Sequence, residues 1–222
     1  MSQNVIDIAD AEAAHAAAVA AVEAGEVIVL PTDTVYGVGA QATSGAAVQR
    51  LLDAKQRGRD LPPPVLVAEV AMVRALAAEV DERVTALAEA FWPGALTLIL
   101  RARPSLRMDL GDRGDTIAVR VPDHAFTREL LRRTGPLAVS SANVHGQEAA
   151  LTIADAVGQL GASCSVYLDG GTMSGPEPST IVDLTGPTAR ILRSGRLGAD
   201  ALATVLPELA SELTDDVPDD QG

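Results

Sequence analysis

The chain has 222 residues, 47% hydrophobic and only 2% aromatic, enough for one well-buried domain with a core of Val, Leu, Ile and Ala, and short for two. Its net charge of -13 argues against general nucleic-acid binding, which needs an extended basic surface. One cysteine, Cys164, excludes an intrachain disulfide and a cysteine metal cluster, and His15, His124 and His145 are scattered without metal-ligand spacing.

In chain order, Val5–Ile8 is expected as a short strand. Ala11–Ala24 reads as an alanine-rich helix capped by Asp10 and closed by Gly25. Glu26–Leu30 is an apolar run too short for a helix and is read as a buried strand. It runs into a polar loop, Pro31-Thr-Asp-Thr-Val-Tyr-Gly37. Ser44 caps a helix reaching about Lys55. Val65–Val67 is a strand after the Pro62–Pro64 run, since proline cannot donate within a sheet interior. Helices are expected over Val70–Ala78 and Asp81–Phe91, a turn at Trp92-Pro-Gly94, and a strand at Leu96–Leu100. After a loop at Leu106–Asp115, Thr116–Val121 is a strand, and Asp123 is the expected cap of a helix to Arg133. Leu137–Ser140 is a strand that breaks at Ser141-Ala-Asn-Val-His-Gly146. Thr152 caps a helix to Leu160. Val166–Asp169, Thr180–Leu184 and Ala189–Leu192 are strands, and Ala199–Leu206 is a closing helix. Strands and helices interleave throughout, which favours one α/β domain. Residues 1–206 form that domain, and the acidic segment 207–222 reads as a disordered tail. No basic leader precedes the first element and no apolar run approaches about 18 residues, so a cytoplasmic location is expected.

Several strand ends carry polar clusters, where open α/β sheets place their ligands. Thr32, Asp33, Thr34 and Tyr36 follow one strand, and Ser141 and Asn143 another. The first cluster also fits a hydrogen-bonded turn, and the second an Asx-turn or helix cap. Arg120 stands in Thr-Ile-Ala-Val-Arg-Val-Pro, where apolar residues are expected. It either meets an anion, because an unpaired buried charge is costly, or points out from an edge strand. Lys55 is the only lysine among 17 basic side chains. Arginine is a planar fork and lysine a compact point charge, so a lysine retained in so arginine-rich a chain marks either a site needing the point charge or the chance survival of one lysine in an arginine-biased composition. There is no G-x-x-x-x-G-K-[ST] loop and no G-x-S-x-G elbow. Lys55, Arg57, Arg120 and Arg193, among small hydroxyls, read as an anion pocket rather than a nucleophile triad.

Pro-Thr-Asp-Thr-Val-Tyr-Gly, Lys-x-Arg, Trp-Pro-Gly, Thr-Ile-Ala-Val-Arg-Val-Pro, Ser-x-Asn, Ser-Thr-Ile-Val-Asp and Ile-Leu-Arg-Ser-Gly occur here in one order. Together they resemble the YrdC-like family, whose best-known members are threonylcarbamoyl-AMP synthases, over about residues 10–200. The resemblance implies a twisted, mixed parallel and antiparallel open sheet flanked by helices, with a concave cleft. It implies L-threonine, bicarbonate or CO2, and ATP as substrates, with Mg2+ accompanying ATP. The products are threonylcarbamoyl-AMP and pyrophosphate, and a downstream transferase complex modifies tRNA. Lys55 and Arg57 match the family's Lys-x-Arg pair and are assigned to carbamate and phosphate charge. Thr34, Arg120, Val139 and Ser179 match threonine contacts, Arg120 by a bidentate bond and Val139 through its backbone. Thr116, Ser141, Asn143 and Arg193 match ATP contacts. No carboxylate cluster advertises a dedicated metal cage.

The chain also departs from the pattern. Leu61 and Leu66 stand where many members have Asn and His, and Glu148-Ala-Ala150 lacks the usual serine. The arginine-bearing, proline-rich stretch Gly58–Pro64 is a candidate lid. Two other readings stay open, a YrdC-like relative with another activity and a non-catalytic RNA-binding module.

Overall fold

In the computed structural model, which describes residues 4–112 and 114–211, ten strands form a single mixed sheet ordered β1-β8-β2-β3-β7-β4-β6-β5-β9-β10. The strands are β1 (Val5–Asp7), β2 (Ile28–Leu30), β3 (Gly37–Gln41), β4 (Val65–Leu66), β5 (Leu96–Arg101), β6 (Thr116–Arg120), β7 (Leu137–Ser141), β8 (Val166–Asp169), β9 (Thr180–Asp183) and β10 (Arg190–Arg193). The helices are α1 (Ala11–Glu23), α2 (Gly45–Lys55), α3 (Val73–Leu76), α4 (Glu82–Phe91), α5 (Ala125–Thr134), α6 (Ile153–Leu160) and α7 (Ala199–Ala203). Pairs β1–β8, β2–β8, β4–β6 and β5–β9 are parallel and the other five antiparallel. This is the mixed sheet that the resemblance implied. No helix among the described residues is long and apolar enough to cross a membrane.

Side chains alternate across a sheet with period two, and here the two faces meet different partners. One face carries Val29, Val38, Val65, Ala138, Val119, Leu98 and Val182 into a core filled by Leu51 and Leu52 of α2, Leu87 of α4, Leu160 of α6 and Leu202 of α7. The opposite face is covered on its β8, β2, β7 and β4 side. There Ile28, Leu30, Leu66, Leu137 and Val139 pack under Ala14, Ala18 and Val22 of α1 and Leu130 and Leu131 of α5. Farther along the same face Ile99 of β5, Ala118 of β6 and Ile181 of β9 are only half-buried. That uncovered half-face is the floor of a cleft, and Arg120 lies at its boundary.

Three expectations are corrected. Gly37 was expected to end a loop, and Val38–Gln41 was assigned to no element, yet Gly37–Gln41 is β3, at the centre of the sheet between β2 and β7. A Cβ on Gly37 would stand 2.6 Å from Val139 Cγ1, so this strand needs glycine to lie against β7. The α5 cap is His124 rather than Asp123, its ring nitrogen accepting from Thr127 N. The ordered chain also runs past Leu206, where the domain was expected to end. Residues Pro207–Ser211 make a 3-10 turn that carries Leu209 to 0% exposure. The acidic remainder, 212–222, lies outside the described residues.

Candidate active site

Arg120 ends β6 and is 6% exposed. It does meet an anion, and that anion is a residue the sequence reading gave no role. Arg120 Nη2 donates to Asp33 Oδ1 at 2.7 Å, Nη1 to Thr34 Oγ1 at 3.1 Å, and Nε to the Gly94 carbonyl at 3.0 Å. Burial weighs against the charge and lowers the pKa of Arg120; Asp33 opposes that shift, and nearby Arg196 adds to it. Thr34 is itself buried and shares a hydrogen bond with Thr32 Oγ1 at 3.1 Å. The polar 31–36 loop is thus a built part of the site, although its hydroxyls also make the local turn bonds read from sequence, Thr32 Oγ1 donating to Val35 O at 2.6 Å.

Ser179 and Arg193 form a second group. Arg193 Nη2 donates to the Ser179 carbonyl at 2.8 Å and to its hydroxyl at 3.2 Å, and Ser179 Oγ lies 2.8 Å from Thr97 Oγ1. Thr116 is on the same sheet face as Arg120 but at the other end of β6, about 13 Å away along a five-residue strand.

The third group surrounds Lys55, the last residue of α2. It is 1% exposed, and its Nζ donates to the carbonyls of Ser141 and Asn143 at 2.6 and 2.7 Å and to Asn143 Oδ1 at 3.2 Å. An ammonium has three hydrogens, and these three oxygens, with Ser141 Oγ farther off at 3.5 Å, are enough to receive them. The partners that the protein itself supplies to this amine all come from the Ser141–Asn143 segment at the end of β7. Burial and then the charge of Arg57 lower the Lys55 pKa to about 7. Asn143 is equally occupied, its amide donating to the carbonyls of Val144 and Gln147 at 3.0 and 2.8 Å. It braces the loop rather than facing solvent. Arg57 reaches Ser140 Oγ at 3.3 Å. The Val139 N–H is taken by the Pro64 carbonyl at 2.8 Å, so a backbone contact there falls to other atoms.

The 31–36 loop joins the three groups. Ala142 N donates to Tyr36 O at 2.8 Å, and Tyr36 N to Ala150 O at 3.0 Å, which brings the Lys55 loop and the Ala149–Ala150 segment alongside. From the other side Arg196 Nη1 bonds the Asp33 carbonyl and Ser174 Oγ, which brings in the chain just after Arg193. Of the departures, Leu66 is 3% exposed and packs under α1 and α5, and Leu61 is half-buried.

The expected lid is latched. Arg59 pairs with Asp109 and, at 3.7 Å, with Asp112, and its carbonyl accepts from Asp112 N at 2.8 Å. A hollow of about 450 Å³ beside this latch is lined by Thr43, Gly45, Leu106–Asp109, Gly111 and Gly114; none of the site residues reaches it. No group of three or more His, Cys, Asp and Glu able to hold a metal occurs among the described residues.

Sequence reasoning missed Asp33, Arg196 and Thr97. Asp33 was in view inside the loop motif, and the signal that singles it out is the buried arginine's need for a counter-charge. Arg196 and Thr97 carried no signal without the fold.

The family described as "Telomere recombination", Sua5/YciO/YrdC, matches residues 20–195. A Mycobacterium leprae protein, provisionally named for threonylcarbamoyl-AMP synthesis, is 48% identical over 198 residues, covering 89% of this chain and 90% of that one. The threonylcarbamoyl-AMP synthase of Bacillus subtilis is 33% identical over 199 residues, 89% of this chain and 57% of its own length. A crystal structure of Pyrococcus abyssi Sua5 complexed with L-threonine superposes with a TM-score of 0.85 at 29% identity, over 94% of this chain and 62% of that one. The chain thus spans about three-fifths of the length of these last two proteins.

Proposed function

The chain belongs to the Sua5/YciO/YrdC family, and from that premise we propose that it is an L-threonylcarbamoyladenylate synthase. It takes L-threonine, bicarbonate or CO2, and ATP, and yields threonylcarbamoyl-AMP and pyrophosphate. The observation that carries the reading is the direct bond between Arg120 and Thr34, two expected threonine contacts lying 86 positions apart in sequence. The Sua5 protein solved with L-threonine has the same fold, which supports an amino-acid site here.

In this reading the carbamate of threonine attacks the α-phosphate of ATP in line. Such a step depends on positioning and charge neutralisation rather than on a protein nucleophile. Arg120 holds the threonine carboxylate, with Thr34 and Ser179 beside it. Arg193 and Thr116 serve the nucleotide along the open half-face, where half-buried Ile99, Ala118 and Ile181 offer an apolar floor. Arg57 meets phosphate or carbamate charge. Lys55 acts through the loop, holding Ser141 and Asn143 where the nucleotide contact is made. Mg2+ enters as the companion of ATP: the described residues offer no carboxylate cage, and no step here is routed through it. The product passes to a tRNA-modifying transferase complex, and a cytoplasmic location goes with that role.

Pyrophosphate release measured with each substrate omitted in turn tests this. Release that requires ATP, L-threonine and bicarbonate together is expected. ATP binding without threonine-dependent release would transfer the chain to a relative with another activity.

A further inference from the structure

The reaction above uses Arg120 but leaves Asp33 without a task, although their side chains touch at 2.7 Å and are only 7% and 14% exposed. Burying such a pair is expensive and on its own weak evidence for a stabilising role. Its hydrogen-bond inventory suggests a binding role. A guanidinium has five N–H groups. One on Nε goes to Gly94, one on Nη1 to Thr34 and one on Nη2 to Asp33. What remains is one N–H on each terminal nitrogen, the fork that a carboxylate matches.

Asp33 is fixed at its base, because its carbonyl accepts from Arg196 and from Ser174 Oγ. Its Oδ1 faces Arg120, and Oδ2 takes no hydrogen bond among the described residues. With Arg196 close enough to Arg120 to lower its pKa, the group holds two guanidiniums and one carboxylate. An additional carboxylate balances that charge.

A guanidinium fork beside a carboxylate oxygen is the complement of an α-amino acid zwitterion, whose carboxylate and ammonium share one carbon. We propose that Asp33 and Arg120 form a zwitterion cradle in which Asp33 receives the substrate's α-ammonium, so that the site selects an α-amino acid over an acid lacking the amine. This rests on the threonine reading and adds to it a specificity-determining residue. Thr34, already bonded to Arg120, then faces the side chain of the substrate from the same loop.

The test is calorimetric binding of the full chain to L-threonine, to 3-hydroxybutanoate (the same molecule without its amine), and to the parallel pair L-serine and 3-hydroxypropanoate. The wild-type chain is expected to bind L-threonine at least about tenfold more tightly than 3-hydroxybutanoate, the scale of one hydrogen bond between charged groups. Asp33→Asn is expected to lose that preference through weaker threonine binding. Equal wild-type affinity for the two acids overturns the cradle, and this arm stands even if Asp33→Asn fails to fold. A variant that weakens both acids by the same factor also overturns it, because Asp33 would then serve only to steady Arg120. Preference for L-serine over its hydroxy acid, with no binding of L-threonine, keeps the cradle and removes the threonine reading.

Discussion

A lysine can be replaced by arginine only where its partners tolerate a planar fork, and the oxygens around Lys55 converge on a point. Lys55→Arg is therefore expected to stay folded and lose at least about tenfold in turnover, a loss that pyrophosphate release reads directly. The same burial makes the amine titrate near 7 instead of the usual 10.5. Below about pH 7 it is protonated in both the folded and unfolded chain, and its burial cost is constant. Between about 7 and 10.5 the folded chain has released a proton that the unfolded chain keeps, so unfolding free energy rises with pH across that window. Denaturant titrations across this range should lose that part of the slope in Lys55→Met. Arg120→Ala strands the Asp33 carboxylate in a site 14% exposed. It is expected to cost about 3–5 kcal/mol of stability and to raise the threonine requirement far more than the ATP requirement. Equal effects on the two substrates would make Arg120 structural. The sequence announced both cations by their rarity and their setting. It did not announce their partners, which lie between 26 and 88 positions away.

At the level of elements, the segments with a clear apolar period or cap were legible. Asp10, Ser44 and Thr152 do cap α1, α2 and α6, the last with a reciprocal bond to Asp155, while Asp81, read as the first residue of its helix, is the cap of α4. β3 was hidden because Gly-Val-Gly-Ala-Gln has the composition of a loop. Its alternate positions are glycine to admit Val139, a tertiary requirement that propensity does not contain. The α5 cap went to His124 because Asp123 points to solvent while the His124 ring sits over Thr127, whose hydroxyl is anchored to the Pro31 carbonyl at 2.6 Å. The lid is the element whose behaviour is easiest to perturb. Gly111 has φ +117°, and a Cβ there would stand 2.5 Å from the Arg59 carbonyl. Gly111→Ala should push the 58–64 segment off its latch. Faster tryptic cleavage after Arg57 or Arg59, with the thermal midpoint little changed, is the expected result. Cleavage at the wild-type rate would mean that the exposed Arg59–Asp109 pair holds the segment without help. Such pairs contribute only about 0–1 kcal/mol.

Over the whole molecule, the sheet is covered on one face and half-covered on the other, so binding and stability are carried by different regions. The covered core extends to the last described turn, where Leu209 is fully buried and Glu208 accepts from Ala189 N at 3.0 Å. Leu209→Ala is expected to cost about 2–5 kcal/mol, read as a lower denaturant midpoint, while substrate affinities in the folded fraction stay unchanged. A purely peripheral tail would show no such loss. The single lysine has a consequence at this scale too. With its one side-chain amine sealed inside, the folded chain presents no ε-amino group to acylating reagents, to amine-directed cross-linkers or to immobilisation on activated ester surfaces. Acylation of Lys55 must wait for the Ser141–Asn143 loop to swing away. Its rate is therefore a clock for the opening of that loop, read at one atom, with no competing side-chain amine elsewhere on the chain.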